Sequence, residues 1–535
     1  MSNGRIRHKG ENQLKTQVLI IGAGATGAGI IRDLALRGLQ CVLVDKKDVN
    51  AGASGGNHGL LHSGARYVAT DSEAAKECAD EGRIIKTIAP QCVESTNGMF
   101  IAVEGDDENY IAEFSGRCER CGITATEIDV KDAREMEPNI SPHTIAVYEV
   151  PDASVDPFML SLDNVAHARQ LGCSYFRFSE VVGFDIRNKK IESVHIRNTQ
   201  TNEIYHIQPD WVINASGAWA GNITQLADIP LEVLFSKGTL LVTQKRLSHR
   251  VINRLRQAAD ADILVPGGSV SIIGTTSVRI SDPDDIWPSV QEVDSIVEEG
   301  AAMLPVLENT RYIRAYCGVR PLISQPGASD DRNVSRGFSL IDHEEHGVQN
   351  MTTITGGKLT TYRLMAEKTS NMVCDRLGVS MPCKTHTTPL PSTTDGRWTE
   401  PGLTPQEWMH HNRSQDIMLC ECEMIPKTAV DHIISNMQSK HGHPDLTGIG
   451  LRSRVGKGPC QGTYCSARIA SHMVDRGDIS GKESVVQLKR FLQERWRGQR
   501  PLLWDIPMVQ SELQEAIHCG FLNLDGYLTP EEVQS

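Results

Sequence analysis

Residues 17 to 45 read QVLIIGAGATGAGIIRDLALRGLQCVLVD, and no other stretch of the chain restricts its fold so tightly. Val18 to Ile21 is an apolar run of strand length, and Gly22-x-Gly24-x-x-Gly27 comes directly after it. Ile30, Ile31, Leu34 and Ala35 then recur at helical spacing. Arg37-Gly38 ends that helix, and Cys41 to Val44 reads as a second strand, closed by Asp45. Strand, glycine turn, helix and strand make a βαβ unit, so the sequence predicts an α/β protein with a Rossmann-like parallel sheet. Gly22 permits the tight turn, Gly24 lets the backbone approach a pyrophosphate, and Gly27 allows close helix–strand contact. The helix N-terminus faces the phosphate charge, and Asp45 suits the ribose hydroxyls.

With 535 residues there is room for about three domains. A net charge of −13 argues against binding nucleic acid. The longest apolar runs are broken by glycine and fall short of the roughly 20 residues a membrane span needs. The opening MSNGRIRHKGENQLKTQ has no apolar core or small-residue cleavage site. The expectation is a cytoplasmic chain that touches a membrane only through a partner. Fourteen cysteines in that compartment point to free thiols or metal ligands rather than disulfides.

The nucleotide is read as FAD rather than NAD because of three segments beyond Asp45. AGASGGNHGLLHSGARY, 51 to 67, is a second loop rich in glycine and serine. WVINASGAWA, 211 to 220, runs from a strand into a small-residue turn, and ITGGKLTTYRLMAE, 354 to 367, runs from a strand through Gly356-Gly357 into a helix. FAD is longer than NAD and needs backbone packed near its ring, and helix N-termini there stabilise charge on the reduced flavin. From these segments Ser54, Gly217, Gly356, Gly357, Leu359 and Thr360 join Gly22, Gly24, Gly27 and Asp45 as expected cofactor contacts. The expected fold is a discontinuous FAD-binding domain with an antiparallel substrate sheet inserted in it, as in D-amino-acid oxidases.

GAGATGAGIIRDLALRG, NHGLLHSGARY, DPFMLSLDNVAHA, SIIGTTSVR, YCGVRPL, NVSRG and TITGGKLTTYRLMAE occur in that order. Together they resemble the FAD-dependent glycerol-3-phosphate dehydrogenases; with the C-terminal cysteines, the likeness narrows to the A subunits of the anaerobic enzymes. The resemblance implies oxidation of glycerol 3-phosphate by hydride transfer to FAD. Arg320 in GVRPL, Arg336 in NVSRG and Lys358 in GGKLTTYR match family positions that hold the substrate, and Arg66 beside Tyr67 is similar. Arginine suits a dianionic phosphate because its planar fork offers paired donors. His62 matches a family active-site histidine, and an ordinary histidine pKa suits a general base. One departure stands out: the single-subunit aerobic relatives place a histidine after a Lys-Gly-Ser-like step, but here Lys237-Gly238-Thr239 is followed by Leu240. The base is therefore His62, or Lys358 if its pKa is depressed.

A second constellation lies near the C-terminus: Cys420-x-Cys422, then Cys460 and Cys465 in GPCQGTYC. Four thiolates suit a [2Fe–2S] cluster. Zinc is the main rival, but its paired cysteines usually have two to four residues between them. The pattern resembles the small helical domain of bacterioferritin-associated ferredoxin. Cys118-x-x-Cys121 reads as chance on an amphipathic helix. A flavin holds two electrons and a cluster passes one, so tethering them implies exit by protein contact. The resemblance supplies two partners. One is a second subunit with its own flavin. The other is an iron–sulfur membrane-anchor subunit that passes electrons to quinone at the cytoplasmic face of the membrane.

The expected organisation is a flavoprotein core over 15–375, a Thr/Pro-rich linker over 384–412, a cysteine domain over 413–475 and a helical tail over 476–535. Two other functions remain open from the sequence. One is a related dehydrogenase of amino or hydroxy acids; the other is a redox-sensing or iron-handling module without catalysis.

Overall fold

The computed structural model describes residues 13–323, 337–411, 415–440 and 442–524. The opening unit forms as its pattern dictates: β1 (Gln13–Ile21), α1 (Ala25–Leu36) and β2 (Cys41–Val44). β1 runs parallel to β2 on one side and to β3 (Ile204–Asn214) on the other, with Val18 opposite both Cys41 and Trp211. The strand Met351–Gly356 extends this sheet beside β3, again parallel, and the whole sheet has eight strands. α1 buries Ile30, Ile31 and Leu34 completely, against Leu162 and Val165 of one helix and Met365 and Val373 of another. Each such side chain contributes about 1.5–3 kcal/mol by leaving water.

The second sheet has nine strands, antiparallel except where Val251–Arg254 runs beside Gly98–Val103. Its spine is the pairing of β4 (Val233–Thr243) with β5 (Tyr312–Ile323), which sets Gly238 opposite Gly318 and Ser236 opposite Arg320. The insertion comes in two pieces, 98–150 and 233–323, rather than one. The helix Val290–Met303 closes over the sheet. Its capping box of Ser289 and Glu292 does double duty, because Glu292 also accepts from Lys237 Nζ at 2.8 Å and Thr239 Oγ1 at 2.8 Å.

The stretch expected as a linker is a packed strap. Leu390 N donates to Ile88 O at 2.7 Å, and Arg32 Nη2 donates to Thr388 O at 2.7 Å. Thr393 donates to Asp163 Oδ1 from its amide at 3.0 Å and its hydroxyl at 2.6 Å. Composition misled because threonine hydroxyls and prolines are the very groups that can lie on a buried surface without unpaired amides. The strap ends in a helix, Leu403–His411. The tail is also no tail. α2 (Gly481–Gln499) places Leu488, Phe491, Leu492 and Trp496 in one core with Cys420, Cys465, Val430 and Ile434, so the expected boundary at 475 falls inside a core. α3 (Asp505–Leu522) comes next. No helix among the described residues is long and apolar enough to cross a membrane.

The cysteine-bearing region is locked to the nucleotide sheet by buried charge. Asp48, just after β2, receives Arg452 Nη1 at 2.7 Å and Nη2 at 3.0 Å, a bidentate pair. Arg177 Nη1 lies 3.2 Å from Asp48 and 2.6 Å from Asp445, and Tyr175 Oη donates to Asp48 at 3.1 Å. Removing one partner strands the other charges away from water. Asp48→Asn should therefore cost about 3–5 kcal/mol. The expected result is a lower melting temperature for the full chain and faster proteolysis in the strap. Unchanged melting would show that the network adds no net stability.

Candidate functional site

The turn after β1 is built for close approach. Gly22 has φ of +105°, and a Cβ there would meet Ala215 O at 2.6 Å. A Cβ on Gly27 would strike Gly22 O, so Gly27 holds the helix against the turn from below. A Cβ on Gly24 would meet only the Ser54 side chain, Oγ at 3.0 Å and Cβ at 3.8 Å. Gly24 therefore keeps space free on the ligand side, while Gly27 keeps the fold. Ser54 Oγ accepts from Ala25 N at 2.9 Å, and Asp45 Oδ2 accepts from Ala23 N at 2.8 Å. Asp45 thus braces the turn as well as facing the cavity.

That cavity is about 1210 Å³ and lies between the two sheets. Gly22, Gly24, Asp45, Ser54, Gly217, Gly356, Gly357 and Leu359 line it, as do His62, Arg66, Tyr67, Arg320 and Lys358. Two expected residues act from behind the lining. Gly27 packs under the turn, and Thr360 is fully buried, its Oγ1 accepting from His62 N at 3.1 Å. Arg336 lies outside the described residues.

Three of the cations expected from the sequence border this space, besides Lys46 and Lys47. Arg66 Nη2 is held by Asp262 Oδ2 at 3.2 Å and Ala259 O at 3.3 Å, while its Nη1 is buried without a hydrogen-bond partner. Arg320 Nη1 donates to Thr276 O at 3.2 Å, and Nη2 to Thr275 Oγ1. Its guanidinium lies over Gly238, where a Cβ would come within 2.6 Å of Nη2. Lys358 Nζ sits 4.7 Å from the ring centre of Tyr67, a cation–π contact. Lys237, in contrast, is committed to Glu292.

Two histidines share the lining. The His62 ring lies 5.3 Å from that of Tyr67 and 6.2 Å from that of His58. Burial, then the charges of Arg320 and Arg66, push His58 down to about 3, and its Nδ1 accepts from Leu60 N at 3.3 Å. His58 is thus a neutral Nε2–H donor and no base. The sequence reading passed over it because NHGLLH shows two histidines without showing which is enclosed by the arginines. Leu240 is 1% exposed in β4, so the missing histidine of that step is replaced by core packing.

The four C-terminal cysteines come together. Cys420 Sγ is 3.8 Å from Cys422 Sγ, which is 3.7 Å from Cys460 Sγ, and Cys465 contacts Cys420. Contact with Cys420 pushes the Cys422 thiol up to about 11, and contact with Cys422 raises Cys460, so both are neutral thiols while no metal is bound. The contacts run as a row. In a tetrahedral zinc site with Zn–S of about 2.3 Å, every sulfur–sulfur edge would be near about 3.8 Å. Among the described residues, the trio of ligand atoms that all fall within 4.8 Å of one another is Glu367, Cys383 and His386; no three of the four C-terminal sulfurs do so. In that trio, Glu367 is already paired at 2.6 Å with Arg363, one turn earlier on the same helix, and Arg363 Nη1 also donates to Thr385 Oγ1 of the strap at 3.2 Å.

A model of the FAD dependent oxidoreductase (DAO) family matches residues 17–363. The A subunit of anaerobic glycerol-3-phosphate dehydrogenase from Escherichia coli K12 is 40% identical over 97% of this chain and 98% of its own length. The A1 subunit of the Haloferax volcanii enzyme is 35% identical over 95% and 91%. Among solved structures, a Bacillus halodurans glycerol-3-phosphate dehydrogenase complexed with FAD superposes with a TM-score of 0.66 over 92% of this chain and 96% of its own, at 18% identity. That likeness is one of fold.

The two glycine roles can be separated. Gly24→Val should leave the circular dichroism of the folded chain intact and abolish retention of FAD through gel filtration. Gly27→Val should instead yield insoluble or unfolded protein. FAD retained by Gly24→Val would show that the pyrophosphate lies elsewhere.

Proposed function

This chain belongs to the FAD-dependent oxidoreductases of the DAO family and, within them, to the anaerobic glycerol-3-phosphate dehydrogenase A subunits, and on that premise we propose that it oxidises sn-glycerol 3-phosphate to dihydroxyacetone phosphate. The observation that carries the reading is the gathering of Arg66, Arg320 and Lys358 around one cavity. Bound FAD supplies the hydride acceptor. Arg66 and Arg320 hold the phosphate dianion, with Arg336 as a further expected contact. Lys358, over the face of Tyr67, adds charge near the substrate oxygens. That leaves His62 as the base that takes the hydroxyl proton as hydride leaves the same carbon. His58 stays neutral between the arginines and donates a hydrogen bond without competing for the proton.

Cys420, Cys422, Cys460 and Cys465 would hold a [2Fe–2S] cluster, which would supply a one-electron exit from the flavin. Its acceptors would be two companions, the flavin-bearing one and the iron–sulfur membrane anchor, and through them quinone in anaerobic respiration. The absence of a spanning helix among the described residues fits a chain held at the cytoplasmic face of the membrane by those partners.

An anaerobic spectrum with and without glycerol 3-phosphate tests the reading: the flavin absorbance should bleach on addition. A panel of amino acids and unphosphorylated hydroxy acids should leave it unchanged. Arg320→Ala removes a charge-assisted contact of about 1.5–3 kcal/mol. It should raise KM strongly for glycerol 3-phosphate while barely changing the poor rate on glycerol. Gly238→Ala keeps the charge but displaces the guanidinium, so it should act in the same direction. Equal loss on both substrates would assign Arg320 to the fold.

Cys460→Ser with Cys465→Ser separates the two centres. Serine ligates iron poorly. The variant should still be bleached by substrate in a single turnover and should fail to reduce quinone in a reconstituted membrane. Full quinone activity would make the cysteines structural.

A further inference from the structure

α3 has two sides with opposite fates. On one, Cys519 and Leu522 pack against the core that contains Cys420 and Cys465, and Glu515 pairs with Arg500 at 2.8 Å. On the other, Ile506, Val509, Leu513, Ile517 and Phe521 recur at steps of three and then four residues, and stand 53–89% exposed. Trp504, just ahead of the helix, is 73% exposed. A single exposed leucine is ordinary; five large apolar side chains in register along one helix form a patch that marks an interaction site.

We propose that this stripe docks into a partner protein that offers an apolar groove rimmed by lysine and arginine. The helix is anchored at both ends, by α2 before it and by the buried Leu524 after it, so the stripe is a fixed feature of the cysteine domain. Its spacing is that of a helix laid into a groove through one face. Charge selects the occupant. The helix carries Asp505 and Glu512 next to stripe residues, Glu515 is already neutralised by Arg500, and the helix has no lysine or arginine. A helix that lies on an anionic bilayer uses basic residues on its polar face, and this one would be repelled. A second copy would bring the same carboxylates together in a chain of net charge −13. A basic-rimmed protein groove satisfies both the stripe and its acidic flanks. Resting on the proposed glycerol-3-phosphate dehydrogenase function, such a partner would sit on the domain that carries the electron exit.

The full chain is co-expressed with its two companions, the flavin-bearing protein and the iron–sulfur membrane anchor, and the complex is read by gel filtration with light scattering. Wild type should co-elute with them. Leu513→Glu with Ile517→Glu should weaken that association by about 30-fold or more, as for loss of two central anchors. Asp505→Lys with Glu512→Lys should weaken it by about fivefold, through the charge rim alone. All four replaced side chains face solvent, so melting and dye reduction by glycerol 3-phosphate should not change. The proposal is overturned if wild type forms no complex, or if the glutamate variant binds like wild type. It is equally overturned if wild type alone is a dimer that this variant dissociates, or if it floats with vesicles of phosphatidylglycerol and phosphatidylethanolamine. A complex that forms as expected in a chain without dye reduction supports the docking face and removes only the catalytic reading.

Discussion

One carboxylate, Asp48, holds the two halves of this molecule in register. It stands three residues after Asp45, which braces the nucleotide turn through Ala23 N. Asp48 faces the other way and binds the guanidinium of Arg452, 404 positions away in sequence, in both prongs. The same loop continues to Asn50, whose amide donates to Ala23 O, and to Ser54, which caps the amide of Ala25. One short loop after β2 thus shapes the cofactor turn and carries the docking point for the cysteine domain.

Burying such charges gives little net stability over an apolar contact of the same size, because desolvation offsets most of the attraction. What it does supply is geometry. Arg177 is shared between Asp48 and Asp445, so a shift of the cysteine domain by even a bond length would leave a buried charge unpaired. The strap works in the same way, with Asp163 and Arg363 receiving and donating hydrogen bonds to threonines of the segment 385–393. The cofactor cavity and the cysteine row, joined this way, keep a fixed separation, which a flexible tether would not give.

The parts of this arrangement that were legible in sequence are local. The glycine turn, its strands and its helix arise from about thirty consecutive residues whose spacing encodes their shape. The cysteines were legible because thiols in close pairs have few uses in such a chain. The strap was misread because proline and threonine content does not reveal where a backbone finds its partners. Asp48, Arg177 and Arg452 were invisible, since any of them alone is an ordinary surface charge. His58 was passed over because its neutral state is set by Arg66 and Arg320, which only the folded chain brings near. Gly238 makes room for a guanidinium from the neighbouring strand, and a register of that kind is written in no single segment.

The row of sulfurs also has a direction. Cys420 and Cys465 belong to the core of their domain at 1% and 2% exposure, whereas Cys460 is half-buried and Cys422 is exposed. Tyr464, next to Cys465, is also open to solvent. A binuclear cluster held by this row would have one edge bedded in helices and the other at the surface. The buried edge shields the cluster from water and fixes its ligands; the open edge is where a partner could approach within transfer distance. Cys420 and Cys422 sit on a hairpin turn, and Cys460 precedes the helix that begins at Cys465. The open edge is therefore formed by turns, whose side chains can meet a partner without disturbing the helices behind them. Closing that edge against water would be the task of a bound partner, in line with the unpaired apolar face that the same domain presents on α3.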